Sequence, residues 1–290
     1  MLTPLDFISD LFNPMLAFLP KALIVSVLAA LVCGVVGSHV VLRGMTFIGD
    51  AVAHSVFPGI AIAFVLQGSL VLGGVAAGLV TAIIIALFSQ QRRLKEDSVI
   101  GIFFVAAFAL GVVIISLAPG YTGSLQSFLF GSITGIPDET VVTTFIFTAV
   151  VLTLLVLFHK ELVSVTLDRD MAQALGLPIL LLDITLYVLV TLAVVMSIQT
   201  IGNILVLALL VTPAAAARML TDKLVPMMIV AAAVGAISAV IGLYISWAMD
   251  VPTGATIVLV VTGIFLLAWL LGPRHGVLRK IGRHVATNPS

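Results

Sequence analysis

Residues 22–42 read ALIVSVLAALVCGVVGSHVVL, and this stretch decides the fold. It holds no Asp, Glu, Lys or Arg. At about 1.5 Å per residue, an apolar run near 20 residues matches a helix crossing a ~30 Å hydrocarbon layer. A membrane-barrel strand is shorter and alternates polar with apolar residues. Runs of the same kind recur on both sides of this one. Nine spans are predicted, at 17–42, 46–66, 69–89, 98–118, 140–158, 179–199, 203–220, 225–248 and 254–272. The second, with Gly49, Asp50, His54 and Pro58, and the seventh, with Pro213, depart most from a plain apolar run.

The composition agrees. Of 290 residues, 61% are hydrophobic and 9% charged, with 13 Lys+Arg against 13 Asp+Glu. An ordinary soluble domain carries about 25% charged residues. The mean hydropathy is +1.31. A soluble enzyme is excluded, and zero net charge gives no field to hold nucleic acid. The single cysteine, Cys33, allows neither an intramolecular disulfide nor a cysteine zinc cluster. Residues 1–14 contain Asp6 and Asp10 but no Lys or Arg, so no cleavable signal peptide is expected there. The expectation is an all-α helical bundle in the membrane, a single permease-like domain over residues 1–290 with no separate soluble domain.

Basic residues orient such a bundle, because they favour cytoplasmic loops. Placing Arg92, Arg93 and Lys95 inside also puts Arg43, Lys160, Arg169, Arg218, Lys223, Arg274, Arg279, Lys280 and Arg283 inside. Only Lys21 then lies outside. The N-terminus is expected outside and the C-terminus inside, which requires an odd number of spans.

The second span reads GMTFIGDAVAHSVFPGIAIAF from Gly44 to Phe64. Asp50 and His54 are four apart, so they share one helix face. For a span starting near Met45, they sit roughly 7 and 13 Å into the hydrocarbon layer. An ionised Asp there costs at least about 2.5–3.5 kcal/mol, and it persists only with a cation, a hydrogen-bond partner or a wet cavity. Asp50 is read as the one acidic residue well inside a span. Carboxylate oxygen and imidazole nitrogen together suit Mn²⁺, Fe²⁺ or Zn²⁺. Two ligands are few, and a two-fold partner chain would bring a second pair. A structural Asp–His hydrogen bond and a proton relay are the competing readings.

His39 is expected to be a satisfied or interfacial histidine rather than a ligand, and His159, His275 and His284 to be solvated at the cytoplasmic face. Ser55, Gln199 and Asn203 are candidates to line a pathway or to bridge helices. Gly49, Pro58 and Gly59 permit close approach or local unwinding, and Gly74 with Gly78 forms a small-residue packing motif.

Two connections are long. The outer one, Pro119–Glu139, is semi-apolar and is read as a partial helix dipping into the membrane or lying on the bundle. The inner one spans residues 159–178, and within it Leu167–Leu177 reads LDRDMAQALGL. Asp168 and Asp170 favour the start of a short helix, and Gly176 with Pro178 ends it. Leu167, Met171, Ala174 and Leu175 fall on one side, which suits either docking to another protein or resting on the bundle. No Gly is followed by Lys anywhere, so no P-loop exists. A nucleotide-driven motor of that type would be a separate chain.

At these residues the chain resembles the membrane permeases of ABC-type divalent metal importers, the manganese/zinc/iron family. The likeness rests on VVLRGMTFIGDAVAHSVFPG (Val40–Gly59), SFLFGSITGI (Ser127–Ile136), DRDMAQALG (Asp168–Gly176) and LVTPAAAARML (Leu210–Leu220), in that order. The resemblance implies a type II importer-like fold in the bacterial cytoplasmic membrane. It implies a homodimeric pore or a pair of similar permeases, two cytoplasmic ATPase subunits and an extracytoplasmic metal-binding protein. Asp50 and His54 are then the pore's metal residues. Residues 168–176 are the coupling helix: Asp168, Arg169 and Asp170 open it, Met171, Ala172 and Gln173 form its turn, and Ala174, Leu175 and Gly176 close it. The implied chain is a translocation subunit, not an enzyme. It holds no cofactor permanently and passes a divalent cation.

HSVFPG after His54 looks like the manganese-type permeases. Zinc-type members often carry a further His in span four, where Gly101–Gly111 reads GIFFVAAFALG with none. Mn²⁺ is therefore favoured over Zn²⁺ or Fe²⁺. A proton-coupled secondary metal transporter is the first rival. An intramembrane metalloenzyme lacks the His-Glu-x-x-His it would need. A purely structural membrane component is the last alternative.

Overall fold

In lipid, each backbone polar group must find its partner within its own segment, and the chain answers with helices. The computed structural model describes residues 3–45, 47–90, 94–116, 136–201 and 203–272, without the side chains of 115, 199–201, 203 and 204. The helices are α1 (Pro4–Leu11), α2 (Phe18–Arg43), α3 (Ile48–Val65), α4 (Leu70–Ser89), α5 (Glu96–Ser116) and α6 (Asp138–Leu157). There follow α7 (His159–Leu167), α8 (Arg169–Ala174), α9 (Ile179–Ile201), α10 (Asn203–Leu220), α11 (Leu224–Met249) and α12 (Thr253–Leu271).

Nine of these stand where spans are predicted, with ends shifted by at most two residues. Eight are long and apolar enough to cross a membrane; α10, the helix with Pro213, contributes a shorter apolar stretch, Leu205–Leu220. Three further pieces are not anticipated in the sequence: α1, the 3₁₀ turn Pro14–Leu16, and α7. Helix α7 opens on His-Lys-Glu, which reads as solvated chain. Yet it buries Leu162, Val165 and Thr166, at the i, i+3, i+4 spacing of one helix face. The partial helix expected within Pro119–Glu139 lies outside the described residues, apart from the approach to α6.

Apolar side chains gain little by leaving lipid for each other, so close packing of small residues holds such a bundle together. Helix α2 is its centre. Gly37 of α2 lies against the Leu210 backbone of α10, and Gly34 against the backbone at Ala231–Ala232 of α11. Helices α3 and α4 touch backbone to backbone at Gly59 and Gly73, where a Cβ on either would collide with the other's carbonyl. The anticipated Gly74 and Gly78 contacts are present too, on Val56 and Thr191. Outward faces remain apolar: Ile102 and Val105 on α5, Phe145 on α6 and Leu259 on α12 are all exposed, as lipid requires.

The ends of the bundle are tied separately. At one end, Lys21 near the start of α2 pairs with Asp138 at the start of α6, at 2.7 Å. There α1 also docks, with Phe7 edge-on to Tyr244 and Trp247 of α11. A capping box starts α1: Thr3 Oγ1 accepts from Asp6 N, and Asp6 Oδ2 accepts from Thr3 N at 2.7 Å. Those Thr3 bonds hold the Asp6 carboxyl below the usual carboxylate range. At the other end, the ends of α2 and α4 meet the starts of α5 and α9, joined by charged side chains and by the amide of Gln90. Loops expected on one side of the membrane therefore meet at one end.

Candidate metal site and the buried charge cluster

Helix α3 begins at Ile48, so Asp50 lies in its first turn. Unpaired N–H groups give a helix start a partial positive charge, which favours a carboxylate there. His54 follows one turn later. Its Nδ1 lies 2.9 Å from the Asp50 carbonyl oxygen and 3.2 Å from Asp50 Oδ1. A carbonyl only accepts, so Nδ1 donates here, and in the neutral imidazole that leaves Nε2 with its lone pair. Metal-binding histidines are commonly held this way, the second nitrogen donating to a carbonyl or carboxylate.

Helix α5 supplies a wall. The Phe104 and Phe108 rings stand edge-on to the imidazole, with centroids at 4.9 and 5.2 Å. The side chains of His54 and Asp50 remain 22% and 32% exposed, so the pair opens to one side. Among the described residues, no group of three or more His, Cys, Asp or Glu side chains could hold a metal. One chain thus offers an oriented imidazole and a carboxylate.

The other sequence candidates take different places. Ser55 is buried and donates to Val52 O at 2.9 Å. It lies on the wall of an apolar cavity of about 650 Å³ between α3, α4 and α5, near Pro58, Gly59 and Phe103. The side chains of Gln199 and Asn203, and residues 275 and 284, lie outside the described residues. His39 is fully buried, with Nδ1 3.0 Å from Thr166 Oγ1 of α7, a contact between two helices.

Helix α8 forms from Arg169 to Ala174, shorter than Leu167–Leu177. Asp168 is its N-cap, accepting from Met171 N at 2.9 Å, and Gly176 turns the chain away at φ +76°. Ala172 faces the bundle and is buried. Met171 and Leu175 are 58% and 65% exposed, so α8 turns apolar side chains outward.

One buried charged group escapes the sequence reading. Asp50 is not the one acidic residue deep in a span: Asp183, one turn into α9, is fully buried. Its Oδ1 accepts from Arg43 at 2.7 Å, and its Oδ2 from Arg169 at 2.6 Å and Gln90 at 3.0 Å. Arg169 also pairs with Glu96 at the start of α5, at 3.0 Å. An Asp within ILLLDITLY is itself the signal, since such a charge demands a partner. Arg43 and Arg169, read as loop charges on the cytoplasmic side, are those partners.

The chain is similar over most of its length to known membrane transport proteins. The chain is 42% identical over 269 residues to the manganese transport system membrane protein MntC of Listeria monocytogenes, covering 93% of this chain and 96% of that one. It is 40% identical over 263 residues to a probable iron transport system membrane protein of Haemophilus influenzae, covering 91% and 93%. The solved structure of PsaBC from Streptococcus pneumoniae in complex with Fab superposes with a TM-score of 0.84 at 34% identity, covering 96% of this chain and all of that one. The family model for the ABC 3 transport family matches residues 15–272. That match takes in α2 through α12, with Asp50, His54 and the whole charge cluster, and the chain belongs to the ABC 3 transport family.

Proposed function

We propose that this protein is the transmembrane pore subunit of an ATP-driven importer of divalent metal ions, with Mn²⁺ as its main cargo. The observation that carries the reading is the Asp50–His54 pair, in which a hydrogen bond at Nδ1 orients the imidazole and, in its neutral form, leaves Nε2 as the free donor atom for a metal. A second copy brings a second pair, giving two nitrogens and two oxygens around a shared axis. Relatives named for manganese transport favour Mn²⁺ as the ion, and a relative named for iron transport makes Fe²⁺ the second reading.

In this reading the Arg43 end faces the cytoplasm and the Lys21 end faces outward, which agrees with the basic residues of the loops. A metal-binding protein delivers the ion at the outer face. Asp50 and His54 of both copies replace part of its hydration shell. ATPase subunits, which are separate chains, dock on the outward face of α8 at Met171 and Leu175. Their closure reopens the bundle inward. The chain itself translocates and catalyses nothing. A mixed nitrogen and oxygen site binds weakly enough to release its ion, as a pore must.

Reconstitution in vesicles with the cognate ATPase and binding protein tests this. The expected result is ATP-dependent uptake that prefers Mn²⁺ over Zn²⁺ and Fe²⁺ and disappears in Asp50→Ala and His54→Ala. Uptake that survives ATPase inactivation but collapses with the proton gradient favours a secondary transporter. Normal uptake in both variants removes the pair from the pathway.

A further inference from the structure

Helix α8 meets the bundle through its buried residue, Ala172, and through Arg169. Arg169 grips two helices at once, with one guanidinium nitrogen on Glu96 of α5 and the other on Asp183 of α9. Asp183 in turn holds Arg43, the last residue of α2, and Gln90, which caps α4. Any push on the exposed Met171–Leu175 face is therefore delivered to four spans through one buried carboxylate and its neighbours.

Two stiff routes lead from this cluster to the Asp50–His54 pair. The first is α5. Glu96 opens that helix, and Phe104 and Phe108, roughly two and three turns further on, hold the imidazole edge-on. The second runs from Arg43 through the turn at Gly44 and Met45 into α3. Met45 is fully buried, and its sulfur accepts from the Tyr187 hydroxyl at 3.4 Å. Tyr187 is itself buried one turn beyond Asp183 on α9. Close-packed interiors transmit displacement rather than absorb it.

We propose that Arg169, Asp183, Glu96 and Arg43 are positioning residues, through which a displacement of α8 moves both α3 and the aromatic wall of His54. This rests on the reading of α8 as the ATPase dock and of Asp50–His54 as the metal pair. The cluster is more than a fastening: a buried ion pair adds little stability over apolar residues of the same volume. What it adds is a fixed geometry among four helices where the force arrives.

The test uses the complete importer in vesicles with its ATPase and binding protein, and counts Mn²⁺ ions taken up per ATP hydrolysed. Asp183→Asn keeps the shape and removes the charge. Glu96→Gln does the same at a partly exposed pair, so it carries the test if Asp183→Asn fails to assemble. The expected result is that ATP hydrolysis continues while ions per ATP fall roughly 5- to 150-fold, the span of typical coupling between linked sites. An unchanged ratio overturns the proposal, whether uptake and hydrolysis stay normal or fall together as a merely structural role requires. Asp50→Ala runs alongside: unchanged uptake there brings down the metal-pair reading and this proposal with it. Lost uptake there, with an unchanged ratio in the other two variants, brings down this proposal alone.

Discussion

Asp183 of α9 and Arg43 of α2 form an ion pair at 2.7 Å, with side-chain exposures of 0% and 5%. Removing one member of such a pair leaves the other charge buried without compensation, which costs about 3–5 kcal/mol. Asp183→Ala should therefore lower the thermal unfolding midpoint of the detergent-solubilised permease sharply. Lys21→Ala, which breaks the pair with the 86% exposed Asp138, should cost no more than about 1 kcal/mol. Equal midpoints for the two variants would show that the buried pair does not support the fold.

Gly73 and Gly101 should respond differently to the same substitution. A Cβ at Gly73 runs into the Gly59 carbonyl, whereas one at Gly101 meets nothing within 4 Å. Gly73→Ala should destabilise by about 1–3 kcal/mol through overpacking. Gly101→Ala, inside a helix, should be neutral or gain about 0.5–1 kcal/mol. Unfolding curves of the two single variants check this, and a Gly73→Ala protein as stable as its parent contradicts the α3–α4 contact.

Met171 and Leu175 should matter for assembly and not for folding. Both are exposed, Met171 on α8 and Leu175 at its C-cap, so Met171→Asp and Leu175→Asp leave the bundle core untouched. Pull-down of the cognate ATPase by the purified permease should fail in the double variant, with the unfolding midpoint unchanged. Undiminished capture would place the ATPase dock elsewhere.

Acid should inhibit transport. A cation at the pair needs Asp50 ionised and His54 neutral, so protons compete with the ion for both groups. The sign follows directly: lowering the outer pH raises the Mn²⁺ concentration needed for half-maximal uptake. Titrating vesicle uptake against outer pH, with the ATPase held at constant inner pH, checks it. Faster uptake on acidification would contradict the reading and point to protons as co-substrates.

The spans were legible because a bilayer leaves the sequence almost no choice: a run such as residues 22–42 has no other use. Asp50 and His54 were legible for the matching reason, that polar groups are rare in such runs and each asks for an explanation. The cluster around Asp183 was not. Its members Arg43, Gln90, Glu96, Arg169 and Asp183 are scattered over 141 positions of the chain, and nothing local pairs them. Arg43 and Arg169 looked like ordinary loop charges, because basic residues at span ends usually reach water. Helix α7 was hidden by its polar first turn, and its apolar face is short. Helix α8 is six residues long because Asp168, with its extended backbone, is the cap rather than the first turn, and because the chain turns off at Leu175 and Gly176, the latter at φ +76°.

The contact between Gly59 and Gly73 leaves no side-chain layer between α3 and α4 on which one helix could slide or turn. Rolling α3 about its own axis would bring Val56 or Ile60, which now flank Gly74, into the place of Gly59 and wedge the two backbones apart. The Asp50–His54 pair cannot be re-aimed by such a roll. Whatever reorients it must swing α3 and α4 together as a single arm.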